Sequence, residues 1–360
     1  MTRDRYFDSL RTLAIIRVML FHAFPLAALE LVFPSMGVMF ALGGSLMVRS
    51  LDRSASRTIR NRVRRLLPAL WVMGLILVPL MLRLGWTDHA RWSLLLWLVP
   101  VAQPPSSEFG FAAAGVLWYL ATYLWLVLLS PLLLKLYRRA RVATLLLPLA
   151  LLGVFMIHPD VFGRTAGEVV QNVLAYAACW MLGFAHREGD LRRVRSAVVI
   201  PLAVACVGGA LAWAFGHPSD IGFDLVGIPL AYAIYSIGFV LVLMRWSPPM
   251  GWLAKVRPLD GFVSMVNNRA VTIYLWHNVA ITIAVMLFDP LKLWEIPTQI
   301  LEDVADFSIA LALLAVAVVS LGWVEDIAAR RKPRMSPFPR QKRVAPPAVA
   351  LPITPEPVAA

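Results

Sequence analysis

Charge and cysteine are the scarcest features of this 360-residue sequence: 15% of its residues are charged and two are cysteine, against 59% that are hydrophobic. With a mean hydropathy of +0.71, the chain has too little polar surface to wrap its apolar residues in water, which excludes an ordinary soluble enzyme. The two cysteines, Cys179 and Cys206, both fall in apolar runs and supply neither a disulfide framework nor a metal site. A convincing internal repeat is also missing, which weakens a secondary-transporter reading.

Apolar runs are present in abundance. A membrane-crossing helix needs about 20 mostly apolar residues, and such runs recur at 10–32, 36–50, 66–86, 112–134, 142–158, 169–186, 197–215, 225–244, 270–288 and 304–324. The expected fold is therefore an all-α polytopic membrane protein, a bundle of about ten transmembrane helices occupying residues 1–329. Residues 1–30 resemble a signal peptide superficially, but Arg17 and His22 interrupt the apolar run, so the segment reads as a retained first helix. The longest external link, 87–111, holds an apolar piece at 92–101 too short to span, which fits a re-entrant or interfacial segment. From Arg330 onward proline and basic residues dominate, the composition of a disordered cytoplasmic tail over 330–360.

The net charge of +13 would point to nucleic acid in a soluble protein. Its placement points elsewhere. With the N-terminus inside, 29 of the 34 Lys and Arg residues fall in cytoplasmic segments, while external links carry Asp88, Glu108, Asp160, Asp220, Asp224, Asp289 and Glu295. This asymmetry predicts both termini in the cytoplasm, a multi-pass protein of the cell membrane with the lipid bilayer as its solvent, and no nucleic-acid partner.

Ionisable residues inside apolar helices are costly, so each marks a candidate site. The first helix holds Asp8, Arg11, Arg17 and His22. Arg11 and His22 are eleven residues apart, three turns plus about 20°, and so share one face roughly 16 Å apart. Asp8, three residues before Arg11, is within reach to orient it. His22 reads either as a packing histidine bonded across helices or as a general base. Before the third helix, Arg62 and Arg65 lie one turn apart, spaced to grip a polyphosphate, although basic inner loops also arise from topology alone. In the ninth helix Tyr274 and His277 share a face, either for packing or for chemistry.

Together these stretches resemble the membrane acyltransferases of the acyltransferase-3 type. The matching residues are Phe7, Asp8, Ser9, Leu10 and Arg11 followed by His22; the Arg62, Arg65, Leu66 and Pro68 set; Leu117-Trp118-Tyr119-Leu120; and Ile273-Tyr274-Leu275-Trp276-His277. The stretch Phe40-Ala41-Leu42-Gly43-Gly44-Ser45 departs from the family's Leu-Ser-Gly ending, and no Glu follows Trp118 before Pro131. The resemblance implies a cytoplasmic acyl-coenzyme A donor, acetyl-CoA in the simplest case, with no permanently bound cofactor and no metal. It implies a carbohydrate or other small-molecule acceptor whose hydroxyl is acylated. His22 would be the general base, either by direct transfer or through an acyl-histidine, with Asp8 and Arg11 beside it in the catalytic helix. Arg62 and Arg65 would bind the donor's phosphates, and Tyr274, His277 and Trp118 would stabilise the oxyanion or orient the acceptor. The competing class is a multi-pass transporter or flippase for an anionic or lipid-linked solute, in which the same residues would line a pathway.

Overall fold

The computed structural model describes residues 4–24, 26–88, 91–219 and 222–335, and among them the chain is almost wholly helical. In order the helices are α1 (Arg5–Ala23), α2 (Ala27–Val32), α3 (Ser35–Arg53), α4 (Ala55–Arg83), α5 (Glu108–Ala114), α6 (Leu117–Arg139), α7 (Arg141–Ile157) and α8 (Gly163–Glu188). They continue as α9 (Asp190–Arg193), α10 (Ser196–Gly216), α11 (Pro229–Arg245), α12 (Arg257–Asn268), α13 (Ala270–Leu287), α14 (Gln299–Leu321) and α15 (Trp323–Ala328). Each of the ten apolar runs lies mostly on helical residues, the first of them spread over α1 and α2. Six helical stretches are long and apolar enough to cross a membrane: Ala55–Arg83, Gly110–Arg139, Pro159–Glu188, Ser196–Gly216, Ala270–Leu287 and Gln299–Leu321. Arg141–Ile157 and Pro229–Arg245 are apolar but shorter.

Two departures from the expected spans bear on function. The run 10–32 is not one helix. It breaks after Ala23, where Phe24 turns to extended backbone (φ −125°, ψ 104°) ahead of Pro25, because a residue preceding proline is driven out of the α region. His22 therefore sits in the last turn of α1 rather than in the middle of a continuous helix. A break within an apolar run frees backbone carbonyls that need another donor. Arg17 fills that need: its Nε and Nη2 both donate to the Leu29 carbonyl, at 2.9 and 2.7 Å, while its guanidinium lies 4.7 Å from the Phe21 ring. Tyr235 of α11 donates likewise to the Leu31 carbonyl. No spacing in the sequence points to the partner of Arg17, because it is a main-chain atom. Replacing Arg17 with Met should remove about 1–3 kcal/mol by stranding that carbonyl. The expected result is a lower midpoint when the detergent-solubilised protein is melted by tryptophan fluorescence, and an unchanged midpoint would contradict this role.

The second departure lies at the other end. The last apolar run, 304–324, ends as a helix at Leu321, and α15 packs against α4. Arg269, 2% exposed at the start of α13, donates to the Gly322 carbonyl at 2.7 Å and pairs with Asp326 at 2.9 Å. Glu325 accepts from both the amide and the hydroxyl of Thr272, at 2.7 and 2.6 Å. The first residues of the expected tail join this cluster: Arg331 reaches Asp326 at 3.3 Å, and the Arg334 amide donates to the same carboxylate at 3.2 Å. The remainder of that tail, 336–360, lies outside the described residues.

The centre of the bundle is the close pairing of α3 with α8. At Gly44 and Gly183 a side chain would collide with backbone, the Trp180 carbonyl in one case and the Ala41 carbonyl in the other. Small residues let two helices approach where lipid offers no hydrophobic drive to join them. The 87–111 link, expected to be external and re-entrant, includes a short 3-10 helix over Arg91–Trp97. Three indole N–H groups fasten it and its flanks, from Trp71 to the Leu98 carbonyl, Trp97 to that of Pro105 and Trp125 to that of Val101.

Candidate functional site

The first turn of α1 opens with Asp4, whose carboxylate caps the helix through the Phe7 amide, and the helix then runs unbroken to Ala23. The common face of Arg11 and His22 is thus kept. Asp8 sits between two arginines, 3.4 Å from Arg5 and 3.9 Å from Arg11. The closer partner of Arg11 is Asn267 of α12, whose Oδ1 accepts from Nη1 at 2.8 Å. Asn267 in turn donates through Nδ2 to the Asp8 carbonyl and the Thr12 hydroxyl, at 2.8 and 3.0 Å. One amide thereby locks α12 to the first turns of α1 and aims the guanidinium. Asn267 carries no local signal that reveals this, since its partners lie some 255 residues away.

Arg11, Arg62 and Arg65 come together around one cavity of about 450 Å³, with Asn267, Tyr119, Tyr123, Tyr274 and Glu325 also on its walls. Arg62 and Arg65 belong to a second cavity as well, about 400 Å³, with Arg53, Ser54, Arg57, Thr58 and Asn61 also on its walls. The two arginines stand on the shared wall. Their register follows from α4, a 29-residue helix that starts at Ala55 with Ser54 as its cap, so that 62 and 65 occupy one face a turn before the apolar part begins. Arg62 is held loosely, with the Tyr123 hydroxyl at 3.4 Å and the Leu46 carbonyl at 3.3 Å, which leaves donors for a ligand.

Glu325 is the carboxyl on this otherwise basic wall, and the fold-back of α15 puts it there. Burial pushes its carboxyl above the usual carboxylate range, and the Thr272 hydrogen bonds oppose that shift. A carboxyl whose ionised form is disfavoured repels an incoming anion less than a solvated one.

Tyr274 and Trp118 sit differently from their expected roles. The Tyr274 hydroxyl donates to the Val116 carbonyl at 2.9 Å, so its proton is already committed and cannot serve an oxyanion without breaking that bond. Its ring packs 4.9 Å from that of Tyr119 and forms the deep wall of the arginine cavity on the α13 side. Trp118 faces away from this cavity. It stacks on Tyr176 at 5.6 Å and borders a cleft of about 20 Å³ with Glu168 and Asn172. Its neighbour Tyr119 is the residue of that stretch that reaches the arginines.

His277 lies against His22. The ring centroids are 5.1 Å apart with the planes at 73°, and Tyr274 is 5.6 Å from His277 on the cavity side. Nδ1 of His22 is 2.8 Å from the Val18 carbonyl oxygen, and Nδ1 of His277 is 2.7 Å from that of Tyr274. A carbonyl only accepts, so each Nδ1 holds the proton and each neutral ring keeps its lone pair on Nε2. His22 can therefore take a proton. A neutral His277 has no N–H left to offer an oxyanion, which removes the donor role expected for it. The two rings differ in access: His22 is exposed, whereas His277 is 1% exposed and its Nε2 has no partner among the described residues.

Arg62, Arg65, Arg11 and Tyr274 thus share one cavity, and the rings of Tyr274, His277 and His22 follow one another in contact. The model of a family described as an acyltransferase domain, the acyltransferase-3 type, matches residues 4–324. No curated protein and no solved structure matches the chain. The match takes in α1 through α14 and the start of α15, including the arginine cavity and both histidines, and the chain belongs to the acyltransferase-3 family of membrane proteins.

Proposed function

We propose that the chain is an integral membrane O-acyltransferase that moves an acyl group, acetyl in the simplest case, from cytoplasmic acyl-coenzyme A to a hydroxyl of a sugar, envelope glycan or small natural product. The reading includes about ten crossings of the cell membrane with both termini in the cytoplasm, supported by the concentration of Lys and Arg on one set of links. What supports it most is the convergence of Arg11, Arg62 and Arg65 on one cavity whose wall includes Tyr274, with His277 packed against Tyr274 and His22 against His277.

Coenzyme A is polyanionic at one end and bears its thioester at the end of a long arm. Arg62 and Arg65 bind the phosphates by charge-assisted hydrogen bonds, with the adjoining Arg53 and Arg57 cavity as room for the nucleotide. The pantetheine arm, roughly 15 Å when extended, matches the rise from Arg11 to His22 of roughly 16 Å. His22 Nε2 takes the proton of the acceptor hydroxyl as its oxygen attacks the thioester carbonyl. The Val18 carbonyl on Nδ1 fixes the ring and its tautomer. Asp8 and Asn267 hold Arg11 at the entrance to the same face.

The acceptor is found by mass spectrometry of envelope glycans and small metabolites from cells with and without the gene. An acyl mass difference that also vanishes in the His22→Ala strain is the expected result. Identical profiles in all three strains would contradict the reading.

A further inference from the structure

Arg62 and Arg65 stand between two cavities of different character. The first, with Tyr119, Tyr123 and Tyr274 on its walls, also holds the Glu325 carboxyl. The second has no carboxyl on its walls: Arg53 from the last turn of α3 and Arg57 from the first turn of α4 line it together with Thr58, Asn61, Arg62 and Arg65. Asp52, next to Arg53 in sequence, is taken up by Arg138 at 2.9 Å, and among the described residues none of these four arginines forms an ion pair with a carboxylate. Arg53 suits the C-terminal end of α3. Arg57, however, lies in a first turn where the helix dipole disfavours a cation, and no acidic residue of that turn offsets it. Topology accounts for arginines in a basic loop, but it does not require four of them on the walls of one cavity. An anion held there would.

We propose that the second cavity is a subsite for a phosphate monoester, the 3′-phosphate on the ribose of the donor, and that Arg53 and Arg57 recognise it. The proposal rests on acyl-coenzyme A being the donor. Coenzyme A carries its negative charge in two places, a pyrophosphate that leads to the pantetheine arm and a 3′-phosphate on the other side of the ribose. With the arm in the first cavity, the pyrophosphate belongs on the shared wall at Arg62 and Arg65, and the ribose continues into the second cavity. Along α4, Arg57, Asn61 and Arg65 follow one another at helical spacing, so they share a face and span about 12 Å. That length accommodates two phosphate groups with a ribose between them. Each guanidinium fork can grip a phosphate with paired N–H donors, and the Thr58 hydroxyl and Asn61 amide add neutral donors to the same cavity. The subsite makes donor choice depend on a group remote from the thioester: acyl-coenzyme A is held in preference to an acyl-phosphopantetheine, which has neither ribose nor 3′-phosphate.

The test compares acetyl-CoA with acetyl-3′-dephospho-CoA on the full-length protein in detergent, measuring the affinity of each by equilibrium binding and its discharge by turnover. The unaltered protein is expected to bind the dephospho donor roughly 10- to 100-fold more weakly, the scale of a charge-assisted hydrogen bond or two. Arg53→Gln combined with Arg57→Gln should lower acetyl-CoA affinity by the same factor and leave affinity for the dephospho donor as it was. Arg49→Gln combined with Arg60→Gln removes the same charge from the same stretch but from neither cavity wall, and should keep the preference. Equal binding of both donors by the unaltered protein would overturn the proposal and leave the cavity to an anionic lipid headgroup. Equal weakening of both donors in the Arg53 and Arg57 variant, or loss of the preference in the Arg49 and Arg60 variant, would also overturn it, since general charge would then explain the effect. Failure of the underlying reading looks different: the unaltered protein then discharges neither donor, and the subsite falls with it.

Discussion

His22→Ala is expected to lower acyl transfer by about 10²- to 10⁴-fold, the range that a positioned general base supplies. Donor affinity and membrane insertion should stay as they are. The separation follows from geometry: His22 lies in the last turn of α1, eleven residues beyond Arg11, and takes no part in the arginine cavity. Its side chain makes one hydrogen bond, to the Val18 carbonyl of its own helix, so truncation strands no hydrogen-bond partner on another helix. Single-turnover discharge of labelled acetyl-CoA by purified protein, with donor binding measured in parallel, distinguishes the cases. A variant that binds donor and turns over normally would take His22 out of the chemistry.

The next largest effect is expected at the mouth. Arg62→Ala combined with Arg65→Ala should weaken donor binding by about 10- to 100-fold, since each lost charge-assisted hydrogen bond to phosphate is worth about 1.5–3 kcal/mol and part of that is recovered by water. Turnover at saturating donor should change little. Topology offers a competing explanation for these arginines, and lysine separates the two. Arg62→Lys with Arg65→Lys keeps the positive charge that orients the loop but loses the planar fork that grips phosphate with two bonds. Intermediate affinity with normal insertion is the expected outcome. Donor affinity equal to that of the unaltered protein in the lysine pair would reduce both residues to topological signals.

Much of this arrangement could be read from the sequence where the relevant spacing is local. The register of Arg11 and His22 needs only an intact helix, and α1 is intact between them. Arg62 and Arg65 needed only the start of α4. The end of α1 was legible in part, since Pro25 forbids helical backbone at Phe24, yet the apolar run conceals the break because its composition does not change there. What could not be read depends on contacts between distant segments. Asn267 orients Arg11 across 256 residues, Glu325 enters the cavity because α15 folds back onto Arg269 and Thr272, and His277 meets His22 only after α13 packs on α1. Tyr274 and Trp118 show a further limit. Both residue types were found, but the bond to the Val116 carbonyl and the stack on Tyr176 decide what each can do.

The proposed passage of an acyl group from donor bound at Arg62 and Arg65 to His22 is tested most directly in sealed, oriented membrane vesicles. Acetyl-CoA labelled separately in its acetyl and nucleotide parts is supplied to the face bearing Arg62 and Arg65. The expected result is acetyl label on membrane or opposite-face material, free coenzyme A left on the side of addition, and no transfer when donor is supplied to the other face. Both labels crossing together, or the thioester remaining whole, would contradict an acyltransferase and identify a transporter instead.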